Sequence, residues 1–202
     1  MDLQTAVSIV STVGWAVHGT LLVRRLASAR RDPLTGLYTR TGWTIRAQHI
    51  IRRNPAAAVL LVDLDHFKGL NDSHGHAAGD AALAVTAERL RSWCGRNGIV
   101  GRLGGDEFVV AIKDLTSANL DLLAATLVRP MRYTGTTLPM AASVGTCRVA
   151  DLRGPRLTDA LATADAAMYV AKGRGRRGRD SSPIDRRISG DAVRSDAPVG
   201  FA

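Results

Sequence analysis

Cysteine is nearly absent: Cys94 and Cys147 are the only two in 202 residues. With no Cys-x-x-Cys spacing and no disulfide-dense composition, the chain fits a reducing compartment. Both thiols read as small buried apolar groups. His74 and His76 lack two further soft ligands nearby, which argues against a structural zinc site. Lysine is scarce as well. Lys68, Lys113 and Lys172 are the only three among 27 basic residues, and the arginines are spread along the chain. The formal net charge of +9 invites a nucleic-acid reading. The spread of that charge argues against it, and aromatics at 4% are too few to stack bases.

Charge is missing altogether between Leu3 and Val23, after which come Arg24-Arg25 and Arg30-Arg31. The run is just long enough to cross a bilayer, and the arginines would hold its C-terminal end in the cytoplasm. That predicts a single-pass inner-membrane anchor with the folded domain on the cytoplasmic side. Leu3, Ala6, Val10, Val13 and Val17 also follow a heptad-like spacing, which fits a dimerising helix of a cytoplasmic protein. The remaining length suits one domain of ordinary size with a real core. From Gly173 onward Arg, Gly, Ser, Asp and Pro dominate. Residues 1–30 are expected to form an apolar helix and basic linker, 31–177 a folded domain, and 178–202 a disordered tail.

The most informative run is Arg-Leu-Gly-Gly-Asp-Glu-Phe at 102–108, with apolar residues on both sides. Gly-Gly is a strong hairpin signal because tight turns need positive φ. Asp106 and Glu107 are therefore expected at the exposed end of a β-hairpin. Acidic pairs are common in surface turns, so the reading depends on whether another carboxylate converges. One does. The apolar run 55–62 reads as a strand buried on both faces. It ends at Asp63, the kind of strand-end position where α/β-type sites hold ligands. Elsewhere the pattern predicts helices over 41–53, 79–94, 117–129 and 157–172, and strands over 57–63, 99–103, 107–112 and 138–148. That order is a β-α-β-β-α-β core with additions, an α+β fold.

Several runs together resemble the GGDEF family of diguanylate cyclases. They are Asp-Pro-Leu-Thr-Gly-Leu-Tyr-Thr-Arg at 32–40, Asp-Leu-Asp-His-Phe-Lys at 63–68, Asn71-Asp72 and Gly-His-Ala-Ala-Gly-Asp at 75–80. The signature at 104–108, Ser143-Val144-Gly145 and Asp-Ala-Ala-Met-Tyr-Val-Ala-Lys at 165–172 complete the set. The resemblance covers the chain from about Arg31 to Arg177. It implies a ferredoxin-like, nucleotidyl-cyclase palm core, a central antiparallel sheet flanked by helices. It also implies an enzyme that joins two GTP molecules into cyclic di-GMP and two pyrophosphates at the interface of a symmetric homodimer. A non-catalytic, GTP-binding regulatory member of the same family is the alternative.

The resemblance carries roles to particular residues. Asp63, Asp106 and the Leu64 carbonyl would hold Mg²⁺ or Mn²⁺, hard cations that take one or two carboxylates beside substrate phosphates. Glu107 or Asp106 would activate the attacking hydroxyl, and Lys68 would stabilise charge developing on the phosphates. Lys172 and Arg176 would contact the phosphates, while Phe67, Gly104 and Gly105 would line the substrate. Asp80 with Asn71 would read guanine, whose N1 and N2 donors an acidic side chain can accept. Adenine offers no such donor pair. An aspartate ahead of an apolar helix can also serve as its N-cap. Many relatives carry Arg-x-x-Asp shortly before the signature and are inhibited there by product. Here the stretch is Gly95-Arg96-Asn97-Gly98, so that inhibition is expected to be absent.

Overall fold

The apolar run ahead of Asp63 becomes the central strand, β2 (Ala58–Leu64). The computed structural model describes residues 30–179 together with Trp15, and of residues 174–179 the backbone alone. Before β2 come β1 (Tyr38–Thr39) and α1 (Arg40–Arg53); after it come α2 (Phe67–His74) and α3 (His76–Cys94). The signature hairpin is β3 (Gly98–Gly104) and β4 (Glu107–Ile112). Then follow α4 (Leu120–Leu127), β5 (Met131–Tyr133), β6 (Thr136–Leu138), β7 (Ala142–Arg148) and α5 (Leu157–Arg179). The main sheet runs β1-β3-β4-β2-β7, antiparallel at every pairing except β1 with β3.

Period-two alternation in β2 divides the core into two layers. Ala58, Leu60, Val62 and Leu64 pack with α3 and α4 residues such as Leu83, Leu90, Leu123 and Leu127. Val59 and Leu61 pack with Trp43 and Ile51 of α1 and with Ala160, Ala164 and Met168 of α5. Each large aliphatic buried in this way contributes about 1.5–3 kcal/mol relative to exposure. The expected β-α-β-β-α-β order is present in β2, α2–α3, β3, β4, α4 and β7.

Several elements differ from expectation. The strand predicted over 138–148 is cut at Pro139, which has no N–H for a ladder; Leu138 ends β6 and Ala142 opens β7. β5 and β6 form an unexpected hairpin around Thr134 and Gly135, both at positive φ (44° and 84°) as a two-residue turn requires. The helix predicted from residue 79 starts at His76, and a separate α2 precedes it. Asp80 thus lies inside α3 and is not its cap, a position Gly75 holds. The helix predicted over 117–129 shortens to α4, capped where Asn119 Oδ1 accepts from the Leu122 amide at 2.8 Å. α5 continues past Lys172 to Arg179.

The membrane-spanning expectation finds no support: among the described residues no helix is long and apolar enough to cross a membrane. The run from Leu3 to Val23 lies outside them apart from Trp15, and so do residues 180–202.

Candidate active site

Asp63 stands near the end of β2 with Glu107 of β4 as its partner on one side and Ser143 of β7 on the other. Directly opposed residues of an antiparallel ladder share a face, and like charges so placed repel. A cation offsets that cost, and α5 supplies one: Lys172 Nζ lies 2.8 Å from Asp63 Oδ1. Asp63 is nearly buried at 13% side-chain exposure, while Lys172 remains 37% exposed. Glu107 is exposed and Asp106 half-buried.

The hairpin turn depends on its glycines. Gly104 and Gly105 have φ of 147° and 52°, and the β3 register shifts between Arg102 and Gly104. The turn then meets the end of β2, where the Leu64 amide donates to the Asp106 carbonyl at 3.3 Å. One residue later the Asp65 amide donates the other way, to the Ala141 carbonyl at 2.9 Å. Ser143 Oγ donates to the Asp65 carboxylate, 2.9 Å from Oδ1 and 3.1 Å from Oδ2. The chain then turns through His66 in the left-handed region (φ 61°) into α2, where Lys68 is exposed.

A second group lies across the sheet end, on α2 and α3. Asn71 packs against Gly79, where a Cβ would overlap the amide oxygen and come within 3.2 Å of Phe67 Cζ. Asn71 Oδ1 is buried with no hydrogen-bond partner. Asp80 is the next residue and is exposed. Asp63, Asp106 and Glu107 thus form an acidic group at one end of the sheet, and Asn71 and Asp80 lie on α2 and α3. Arg176 falls in α5, but its side chain lies outside the described residues.

Two arginines tie this architecture to the turn at residues 32–37. Arg102 donates Nε and Nη2 to the Gly105 carbonyl at 2.9 and 2.8 Å, and Nη1 to Asp32 Oδ1 at 3.2 Å. Asp32 Oδ1 also accepts from the Thr35 amide at 2.8 Å and hydroxyl at 2.6 Å. Burial works to raise the Asp32 carboxyl, but the Thr35 hydrogen bonds and the Arg102 guanidinium outweigh it and hold it below the usual range. From α3, Arg91 Nη2 donates to the Thr35 carbonyl at 2.9 Å. The signature turn is thus braced from outside its own hairpin.

The oxygen donors fit a hard divalent cation: two carboxylates, Asp63 and Asp106, and a main-chain carbonyl. Among the described residues no three His, Cys, Asp or Glu side chains gather closely enough to hold a metal by themselves. Substrate oxygens would have to complete the set, as is usual for Mg²⁺. A cavity of about 300 Å³ opens beside Glu107, lined by Leu61, Leu103, Met168, Arg40 and Asp165. A larger one, about 830 Å³, lies among Thr116, Arg148 and Asp151 and touches none of the site residues.

Sequence reasoning gave no role to Asp65, Ser143, Arg102 or Asp32. A signal existed for Asp65: two residues past Asp63, it falls on the same side of an extended chain. Nothing local pointed to the Arg102–Asp32 pair, whose members are 70 residues apart.

Known proteins similar to this chain point to one family. A family model described as "Diguanylate cyclase, GGDEF domain" matches residues 29–178. A Streptomyces ambofaciens protein described as an uncharacterized 19.3 kDa protein in the repSA 5′ region is 70% identical over 178 residues, covering 88% of this chain and 97% of that protein. Diguanylate cyclase TpbB of Pseudomonas aeruginosa is 35% identical over 164 residues; the match covers 75% of this chain but 37% of TpbB. The crystal structure of a sensory box/GGDEF family protein from Caulobacter crescentus superposes with a TM-score of 0.66 at 38% identity, covering 72% of this chain and 99% of that one. The chain belongs to the GGDEF-domain diguanylate cyclase family of nucleotidyltransferase-type enzymes.

Proposed function

We propose that this protein condenses two GTP molecules into cyclic di-GMP and two pyrophosphates, with Mg²⁺ or Mn²⁺, between two copies of the domain facing each other. The observation that carries the reading is the convergence of Asp63, Glu107 and Lys172 at one end of the sheet, beside the Asp106 turn. Asp63, Asp106 and the Leu64 carbonyl would hold the cation. When bound, it would neutralise charge on the attacked α-phosphate and the leaving pyrophosphate.

In each half-reaction the 3′-oxygen of one GTP bonds to the α-phosphorus of the other. The α-phosphorus bond to the bridging oxygen breaks, and pyrophosphate leaves. The 3′-hydroxyl proton goes to Glu107, the more exposed of the two signature carboxylates. Lys68, on the first turn of α2, and Lys172 with Arg176, on α5, would balance charge on the phosphate tail. Phe67, Gly104 and Gly105 would line the nucleotide.

Base recognition is assigned to Asp80 with Asn71. A buried amide acceptor without a donor costs about 1–3 kcal/mol. The unpartnered Asn71 oxygen beside Gly79 therefore supports a notch that a purine edge completes. Each domain holds one GTP, so two-fold pairing is needed to bring a hydroxyl to each phosphate.

The test is a turnover assay with GTP and Mg²⁺, products identified by mass, alongside Asp106→Ala. Cyclic di-GMP from the wild type and none from the variant is the expected result. GTP binding without product in the wild type would overturn it in favour of a regulatory, non-catalytic member.

A further inference from the structure

The peptide joining Leu64 to Asp65 has an orientation that can be derived. A trans peptide is planar, with its C=O and N–H pointing in opposite directions. The N–H of this unit belongs to Asp65 and is bonded to the Ala141 carbonyl, on the β7 side. The C=O of the same unit belongs to Leu64 and is therefore aimed away from β7. β2 lies between β7 and β4, so the Leu64 carbonyl faces the β4 side, where the Leu64 amide already touches Asp106.

Past Leu64 the strand ladder has ended and the chain must turn sharply through His66. One backbone hydrogen bond is a weak hold on the rotation of a peptide at such a place. The second hold is the side-chain bond from Ser143 Oγ to both Asp65 oxygens. Ser143 is buried at 7% exposure, and its Cα partner across the ladder is Asp63 itself. A half-buried carboxylate held by a neutral hydroxyl is a costly arrangement for packing alone, since burial penalises its charge. Among the described residues, no ion pair involves Asp65.

We infer that Ser143 and Asp65 are positioning residues: their bond locks the Leu64–Asp65 peptide so that the Leu64 carbonyl faces Asp106, and so sets the affinity of the site for its divalent cation. The inference rests on the proposed cation site at Asp63, Asp106 and Leu64. It adds that β7, a strand contributing no ligand, tunes that site. Partners that orient ligands typically change metal affinity by roughly 10- to 100-fold when removed.

The experiment measures Mn²⁺ binding by electron paramagnetic resonance in the presence of 3′-deoxyGTP, which lacks the attacking hydroxyl and so cannot react. Ser143→Ala should weaken Mn²⁺ binding by roughly tenfold or more, with metal-free nucleotide binding and melting temperature close to wild type. Ser143→Thr keeps the hydroxyl and should restore affinity. If Ser143→Ala does not fold, Asp65→Asn takes its place: it keeps shape and an acceptor but removes the charge that strengthens the bond. Unchanged Mn²⁺ affinity in a folded Ser143→Ala or Asp65→Asn protein overturns the inference, as does a loss of Mn²⁺ binding that merely tracks lost nucleotide binding. Failure of the cyclase reading shows separately, as a wild type that makes no cyclic di-GMP whatever these affinities are.

Discussion

Lys172 Nζ sits 2.8 Å from Asp63 Oδ1, so the lysine expected on substrate phosphates holds the carboxylate expected on the cation. An ammonium and a divalent cation drawn to that carboxylate would compete for it. Cation binding at the proposed Asp63 site would weaken the hold on Lys172, and the released side chain would be available to the phosphate tail. One residue would thus guard the empty site and serve the loaded one. Lys172→Met is expected to tighten Mn²⁺ binding to the nucleotide-free protein by roughly two- to fivefold, the scale of a partly exposed ion pair worth up to about 1 kcal/mol. The same variant should raise KM for GTP and lower turnover. Calorimetric Mn²⁺ titration beside steady-state kinetics checks both directions, and weaker Mn²⁺ binding in the variant would refute the competition.

Arg102 gives a second prediction, with a pH dependence. Its guanidinium joins the Gly105 carbonyl of the signature turn to Asp32 of the entry turn. Arg102→Ala leaves both acceptors short of donors, so stability should fall by about 1–3 kcal/mol and turnover should fall with it. The folded Asp32 carboxyl is held below its unfolded value. Its stabilisation is therefore fully present above the unfolded pKa of about 3.9 and fades as pH drops through the lower folded value. Urea midpoints at pH 6 and pH 3 test this. The gap between wild type and Arg102→Ala should be wide at pH 6 and narrower at pH 3.

How much of this was legible in the sequence depends on the range of each interaction. β2, the signature hairpin and the cores of α1, α3 and α5 follow from local periodicity and glycine placement, and they were readable. The pairing of acidic residues across β2 and β4 was suggested too, because Asp63 lies near the end of an apolar strand and the Asp106-Glu107 pair follows a Gly-Gly turn. Boundaries set by a single residue were harder. Pro139 divides one apolar stretch into β6 and β7, and the Thr134-Gly135 turn is signalled by one glycine. The braces were not readable. Arg102–Asp32 and Ser143–Asp65 join residues 70 and 78 positions apart, and nothing in either neighbourhood says which charge meets which. The Lys172–Asp63 contact united two residues that sequence reasoning had placed in one site in separate roles.

Gly79 offers a test of the base-reading notch that leaves the fold intact. The nearest atoms to a Cβ there are the tip of the Asn71 side chain, which it would overlap, and Phe67 Cζ at 3.2 Å, all side-chain atoms that can move aside at small cost. Alanine is also a better helix former than glycine by about 1 kcal/mol. Gly79→Ala should therefore melt no lower than wild type. Its affinity for GTP should nonetheless fall by about tenfold, the worth of one displaced hydrogen bond of roughly 1.4 kcal/mol. Differential scanning fluorimetry and GTP titration separate the two effects. A variant that binds GTP as the wild type does would remove Asn71 from the notch.

The stretch ahead of β3 bears on product inhibition. By the resemblance to its family, Gly95 and Gly98 would correspond to the arginine and aspartate of an inhibitory Arg-x-x-Asp, and the obvious experiment is to introduce that pair. Physical constraints oppose it at both positions. Gly95 closes α3 at φ 50°, a backbone that side chains strain to adopt. Gly98 opens β3, and a Cβ there would overlap the Ala111 carbonyl oxygen and approach Ile112 Cα to 2.8 Å. Those are backbone atoms of the neighbouring strand and cannot swing away, so the β3–β4 ladder must shift. Gly98→Asp should cost about 1–3 kcal/mol, the usual penalty of forcing atoms into a packed interior, and Gly95→Arg should add strain to it. The double variant is expected to melt lower than wild type and to gain no tight cyclic di-GMP inhibition. Turnover against added cyclic di-GMP, with melting curves for both proteins, decides it: submicromolar inhibition in a variant of unchanged stability would mean that β3 tolerates the motif and would overturn this account.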